Sequence, residues 1–193
     1  MLPMRDVRIG IAGHRRLDDA SRIEGQLLKV MRRLSEPRRD EIVRLVLQTC
    51  LAEGADTLAA EVLLRYFQFS GIEVILPLDV EEYLADFSTA AARRLFGHLL
   101  DRAEAVVSPR SGIAPSPGTS SRQAAYLAAG RRVVERSEAV IAVWDGQRAR
   151  GPGGTADIVA LARQSGKPVL WISSTDPIPV RRLGPEGGSR AES

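Results

Sequence analysis

The residues best suited to chemistry sit in short glycine-rich or polar clusters, most of which directly follow apolar runs. Gly151-Pro152-Gly153-Gly154-Thr155 is the most informative of them. Glycines let a backbone turn tightly and approach a ligand closely. A helix opening there would aim free N–H groups and its positive dipole end at an anion. Thr155 can cap that helix or donate its hydroxyl to a phosphate. A plain glycine turn before a helix accounts for the run equally well. The lysine and spacing of a P-loop are missing, and so is the GxGxxG of a dinucleotide fold. In Gly13-His14-Arg15, Gly13 suits close approach of a phosphate and Arg15 its clamping. The plainer reading is a surface turn with a solvated arginine, in which His14 is a hydrogen-bonded turn residue.

Asp145 and Gly146 follow another apolar run, and a ribose hydroxyl is a natural partner for an acid so placed. Gly54, Ala55, Asp56 and Thr57 form a third cluster, in which Asp56 reads first as a helix N-cap. Asp157, in the first turn after the glycine run, complements the helix dipole. Trp144 can stack on a base, although a tryptophan ending a buried strand is more often core. Arg131 and Arg132, with Arg136, form a solvated helix face or reach toward the ligand.

Elements must exist to position these groups. Residues 7–12 read as a buried strand ended by Gly13. Ile23, Leu27, Val30, Met31 and Leu34 recur at helical spacing, which predicts a helix over 20–34. Further strands are expected at 42–48, 72–77, 105–108, 139–144 and 168–172. Helices are expected at 57–69, 80–103, 120–136 and 155–165. Residues 109–119, rich in proline, glycine and hydroxyl groups, read as an exposed loop. Strands alternating with helices, the strands continuously apolar, predict a doubly wound Rossmann-like α/β domain with a mainly parallel sheet covered by helices. The domain is expected to span residues 1–173. Residues 174–193 read as a flexible tail whose removal leaves stability nearly unchanged. Ligands of such sheets collect outside the carboxyl ends of the strands, where the clusters above fall.

Composition narrows the function. The chain has 193 residues, 44% hydrophobic and 26% charged, an ordinary globular balance. No apolar run approaches the roughly 20 residues of a membrane span, and the first residues do not form a secretory signal. The cytoplasm is the expected compartment. One cysteine, Cys50, and two histidines, His14 and His98, supply neither a disulfide nor a recognisable metal site. No cofactor or metal is expected. Arginine supplies nearly all the basic residues, since Lys29 and Lys167 are the only lysines. A net charge of +3 and 5% aromatic residues argue against a nucleic-acid binder.

Three segments in order carry a family resemblance: residues 9–15, residues 51–61, and residues 139–146 with 153–159. Together they resemble the SLOG superfamily, which groups Smf/DprA-type and Lonely Guy-type Rossmannoid domains. Residues 51–61 are similar to the Smf/DprA signature, and residues 137–143 with Gly153-Gly154-Thr155 to that of Lonely Guy proteins. The resemblance covers residues 7–172. It implies a nucleotide or nucleotide-derived ligand bordered by Gly13, His14 and Arg15, lined by Gly54, Ala55, Asp56 and Thr57, and held at its phosphate by Gly153, Gly154 and Thr155. It also implies a bacterial sensor domain, a homo-oligomer working beside a separate effector chain in defence signalling. The alternative it implies is a phosphoribohydrolase or related N-glycosidase, with Asp157, Arg131 and Arg132 as catalytic residues. Lonely Guy enzymes carry two adjacent acids after Pro-Gly-Gly-x-Gly-Thr, and this chain matches only the first.

Overall fold

The structure, a computed structural model, describes residues 2–37, 41–107, 120–148 and 153–185. Ser108, the loop 109–119, Gly151 and Pro152 lie outside the described residues. The element order is β1 (Met4–Gly13), α1 (Ala20–Leu34), β2 (Ile42–Thr49), α2 (Ala55–Tyr66), β3 (Gly71–Ile75), α3 (Val80–Leu84) and α4 (Ala90–Asp101). It continues with β4 (Ala105–Val107), α5 (Ser121–Glu135), β5 (Ala139–Trp144), α6 (Thr155–Gln164), β6 (Val169–Ser173) and β7 (Arg181–Leu183).

These form one seven-stranded sheet in the order β4-β3-β2-β1-β5-β6-β7. Six strands are parallel, and β7 joins antiparallel to β6. The chain builds outward from β1 to β4, then returns to the other side of β1 to lay down β5. This reversal leaves a crevice between the loops after β1 and β5, where doubly wound sheets bind their ligands. The expected α/β architecture is the one observed.

Side-chain alternation distributes the core over both faces. Ile141 and Val143 of β5 join Ile9 and Ile11 of β1 in the cluster that buries α1, α2 and α4. Val140 and Ala142 point the other way, with Ala12, into a cluster with Val134 of α5 and Ile158, Val159 and Ala162 of α6. In α1, Ile23, Leu27, Val30 and Met31 are buried at helical spacing, and Asp19 caps the start by accepting from Arg22 N at 3.0 Å.

Three expectations need correction. The helix expected over 80–103 is two helices. Asp86, Phe87, Ser88 and Thr89 interrupt it, and the Thr89 hydroxyl caps α4 by accepting from Ala92 N at 3.0 Å. Phe87 sustains the apolar pattern through the break because it packs on Tyr83 and Phe96. Second, α2 starts at Ala55, so Asp56 is not its N-cap; Gly54 holds that position. Third, residues 174–185 are not loose. Arg22 donates to the carbonyls of Ser173, Ser174 and Asp176 at 3.1, 3.3 and 3.2 Å, and Gln26 Nε2 to Ile178 O at 2.9 Å. Arg181 lies over the Trp171 ring, and Val180 and Leu183 pack on the two core clusters. Residues 186–193 lie outside the described residues.

Ending the chain after Ser174 therefore removes an edge strand and two hydrogen-bond partners of α1, the carbonyls of Asp176 and Ile178. We expect it to cost about 2 kcal/mol or more, a drop of about 4–8 °C in thermal midpoint for a domain of this size. Differential scanning calorimetry showing an unchanged midpoint would contradict the packing of this segment.

Candidate functional site

The crevice at the β1/β5 reversal opens into a cleft of about 650 Å³, within the usual range of small-molecule sites. Its wall follows the carboxyl ends of three strands. Gly13 ends β1 and His14, Arg15, Arg16 and Asp18 follow it, Cys50 and Ala52 come from the turn after β2 and Asp56 from the start of α2, and Trp144, Asp145 and Arg148 from the end of β5 and the loop beyond it. The N-terminus of α6 contributes Gly153, Gly154, Thr155 and Ala156, while Tyr83 of α3 and Tyr126 of α5 close the β2 side.

Backbone contacts lock the loops that build this wall. Gly54 has a φ of +96°, and a Cβ there would sit 2.3 Å from Arg15 O and 2.5 Å from His14 O. Only glycine fits both the conformation and the approach. Ala55 N donates to His14 O at 3.1 Å. A Cβ on Gly13 would lie 2.4 Å from the Ala55 Cβ, so the start of α2 packs directly on the end of β1. His14 ties the same loop to β5. Its N–H donates to Val143 O at 3.0 Å, and Asp145 N donates to its Nε2 at 3.1 Å. Asp145 Oδ1 lies 3.3 Å from Nε2 and accepts from Gln147 N at 2.9 Å, closing the turn after β5.

Arg15 is not a solvated surface arginine. It donates to Asp86 O at 3.0 Å and to the Tyr126 hydroxyl at 3.2 Å, with its guanidinium 5.7 Å from the Tyr126 ring centre. Tyr126 donates to the Asp86 carboxylate, which also receives Arg122 at 2.7 Å. Burial opposes ionisation of Asp86, but the Tyr126 and Arg122 bonds outweigh it and hold this carboxyl below its ordinary value. Burial, aided by Asp86, pushes the Tyr126 hydroxyl up to about 12.

Asp56 is buried, and its Oδ2 accepts from the Thr49 hydroxyl at 3.0 Å and from Cys50 N at 3.2 Å. Burial raises its carboxyl to about 6 against the pull of those bonds and one from Ala52 N. Cys50, half-buried beside it, has its thiol pushed well up, which keeps it protonated and poorly nucleophilic.

The glycine turn before α6 is built differently from the sequence expectation. Gly153 has a φ of +82°, and its N–H donates at 2.9 Å to Asp157 Oδ2. Asp157 thus reaches back over the helix start and folds the turn, and it does not line the cleft. Gly154 is the N-cap without a side chain to offer. The donors that α6 offers at the cleft come from its first turn, where Thr155 and Ala156 stand.

The structure brings Gly13, His14, Arg15, Asp56, Asp145, Gly153, Gly154 and Thr155 together around one cleft. It separates the others. Gly54 and Thr57 border a second hollow of about 280 Å³ behind the Arg15 loop, and Ala55 is wholly buried. A Cβ on Gly146 would meet the Trp171 ring at 3.4 Å, and Gly146 is not part of the cleft wall. Arg131 and Arg132 line no part of the cleft. They lie in the second half of α5, which runs away from the carboxyl edge toward the start of β5, while Tyr126 lies nearer that edge. Arg136 is taken up by Glu73 and Gln48.

The fold and cleft define a doubly wound α/β domain with a ligand crevice at its strand-order reversal. No family model and no curated protein matches the chain. Its structure is similar to the X-ray structure of DNA processing protein A (DprA) from Streptococcus pneumoniae, with a TM-score of 0.55 and 19% sequence identity over 86% of this chain. The chain spans 50% of the length of that DprA chain. The likeness is one of fold, and it fits the SLOG resemblance of the three sequence segments.

Asp56 gives a pH signature with a definite sign. A carboxyl whose folded value lies above its unfolded one binds more protons in the native state. Its favourable contribution is therefore complete below about pH 4 and is lost as pH rises through about 6. Asp56→Asn cannot ionise. Urea titrations should show wild-type stability falling relative to Asp56→Asn by on the order of a few kcal/mol between pH 4 and pH 7. A pH-independent difference would contradict the burial of this charge.

Proposed function

We propose that this domain binds a nucleotide or nucleotide-derived small molecule in the β1/β5 cleft and acts as a sensor. The observation that carries the reading is the opening of the α6 N-terminus onto a cleft at the strand-order reversal. A phosphate there meets the first-turn N–H groups of α6 and its dipole. Asp145, on the opposite loop, stands where a ribose hydroxyl would be received. The charged residues along the wall are balanced, with Arg15, Arg16 and Arg148 against Asp18, Asp56 and Asp145. Such a wall suits a small molecule with one anionic end and several hydroxyls. A nucleic-acid groove would instead present a continuous basic track.

Binding is favoured over base–ribose hydrolysis by the disposition of the candidate catalytic groups. Asp157 is committed to the Gly153 N–H, and Arg131 and Arg132 are not part of the cleft wall. A sensor passes its state to another protein, so a homo-oligomer and a separate effector chain belong to the same proposal, as do a bacterial source and a cytoplasmic setting. No helix among the described residues is long and apolar enough to cross a membrane.

Thr155→Asp tests the phosphate position. An acid at the first helical position favours the helix, so the fold should hold or gain stability. The same charge would repel a bound phosphate. With AMP, GMP, CMP, UMP and ADP-ribose as probes, calorimetric titration should show that whichever binds the wild type binds Thr155→Asp at least about tenfold more weakly. Equal affinity for both proteins would remove the phosphate from α6.

A further inference from the structure

Tyr83 is fully buried in α3, yet its hydroxyl has no hydrogen-bond partner. Its ring is fixed by edge contacts to Phe87 and Phe96, with centroids 5.4 and 5.7 Å away, and by a tilted contact to Tyr126 at 6.0 Å. A phenylalanine would fill this aromatic cluster as well, without a hydroxyl to desolvate. A buried hydroxyl left unpaired is unfavourable, so a ligand group that pairs with it gains binding energy there. Three buried side-chain polar atoms lack partners among the described residues, on Gln26, Gln48 and Tyr83, and of these residues only Tyr83 lines the cleft.

The groups around it are already engaged. Asp56 accepts from Thr49 and Cys50, Tyr126 bonds to Asp86 and Arg15, and Arg15 is further held by the Asp86 carbonyl. This end of the cleft combines a tyrosine ring, a neutral thiol and a buried carboxylate. With the Asp56 carboxylate and the Arg15 guanidinium opposite in charge and both already hydrogen-bonded to protein groups, it suits a planar, uncharged heterocycle with a polar edge. The opposite requirement, for an anion, is met across β1 by the α6 N-terminus.

We propose that Tyr83 is a specificity-determining residue whose hydroxyl hydrogen-bonds the polar edge of the ligand's base, at the β2 end of the cleft beside Cys50 and Tyr126. This inference rests on the nucleotide reading above and adds the ligand's direction, base toward α3 and phosphate toward α6. Tyr83→Phe separates the two. The probes are AMP, GMP, CMP, UMP and ribose 5-phosphate, which carries the sugar and phosphate without a base. For the nucleotide the wild type binds best, Tyr83→Phe should raise Kd at least about tenfold. Its affinity for ribose 5-phosphate should be unchanged, and its thermal midpoint equal to or above that of the wild type. Unchanged nucleotide affinity, or equal weakening of nucleotide and ribose 5-phosphate, overturns the role of Tyr83 and leaves the site reading intact. A wild type that binds none of the five overturns both together.

Discussion

At Gly54 two backbone segments meet with no room for a side chain between them. The carbonyls of His14 and Arg15 fill the space that a Gly54 side chain would need, and the next residue, Ala55, donates to His14 O while its methyl rests where a Gly13 side chain would be. The loop after β1 is thereby seated on the start of α2. From the other side, His14 joins it to the end of β5 through its backbone N–H and its ring. The carboxyl ends of three neighbouring strands are held in one arrangement by these contacts. The cleft wall has its shape because of them, and a larger residue at Gly13 or Gly54 would force the strand ends apart.

Arg15 extends that arrangement outward. It leaves the locked loop, crosses the Tyr126 ring, and reaches Asp86 between α3 and α4. Arg122 of α5 and the Tyr126 hydroxyl converge on the same carboxylate. One acidic side chain thus joins the β1 loop, the α3–α4 junction and α5. These are the elements that surround Tyr83, so the rigid aromatic end of the cleft depends on the same interactions as its polar centre.

Much of this was legible in the sequence, for identifiable reasons. The strands at β1 and β5 are short apolar runs ended by glycine or acid, and α1 has strict helical spacing, so local pattern suffices. The break between α3 and α4 was hidden because Phe87 continues the apolar pattern while its neighbours turn the chain. β7 escapes the local pattern because Arg181-Arg182-Leu183 has the charged character of an edge strand and is held by its pairing with β6 and by the Trp171 ring rather than by an apolar run of its own. At the site, the rule of looking beyond the carboxyl ends of strands found the β1, β2 and β5 contributions. Gly54 was recognised, but its reason is a backbone contact with the preceding loop and not a ligand. Arg131 and Arg132 fall outside the cleft wall because α5 carries them away from the carboxyl edge, a direction that sequence spacing does not give. Tyr83 and Tyr126 carry no glycine or charge signal in the sequence, yet both stand beyond carboxyl strand ends, on the element after β3 and in the first half of α5.

The central claim is that a nucleotide lies across the β1/β5 reversal with its phosphate on α6. Amide chemical-shift mapping of the full chain during titration with AMP, GMP, CMP, UMP and ADP-ribose tests it most directly. The expected result is saturable shifts with at least one of them, concentrated in residues 13–16, Asp145 and residues 153–156, with smaller changes near Tyr83. Saturable shifts confined to another surface, or no shifts with any of the five, would contradict it.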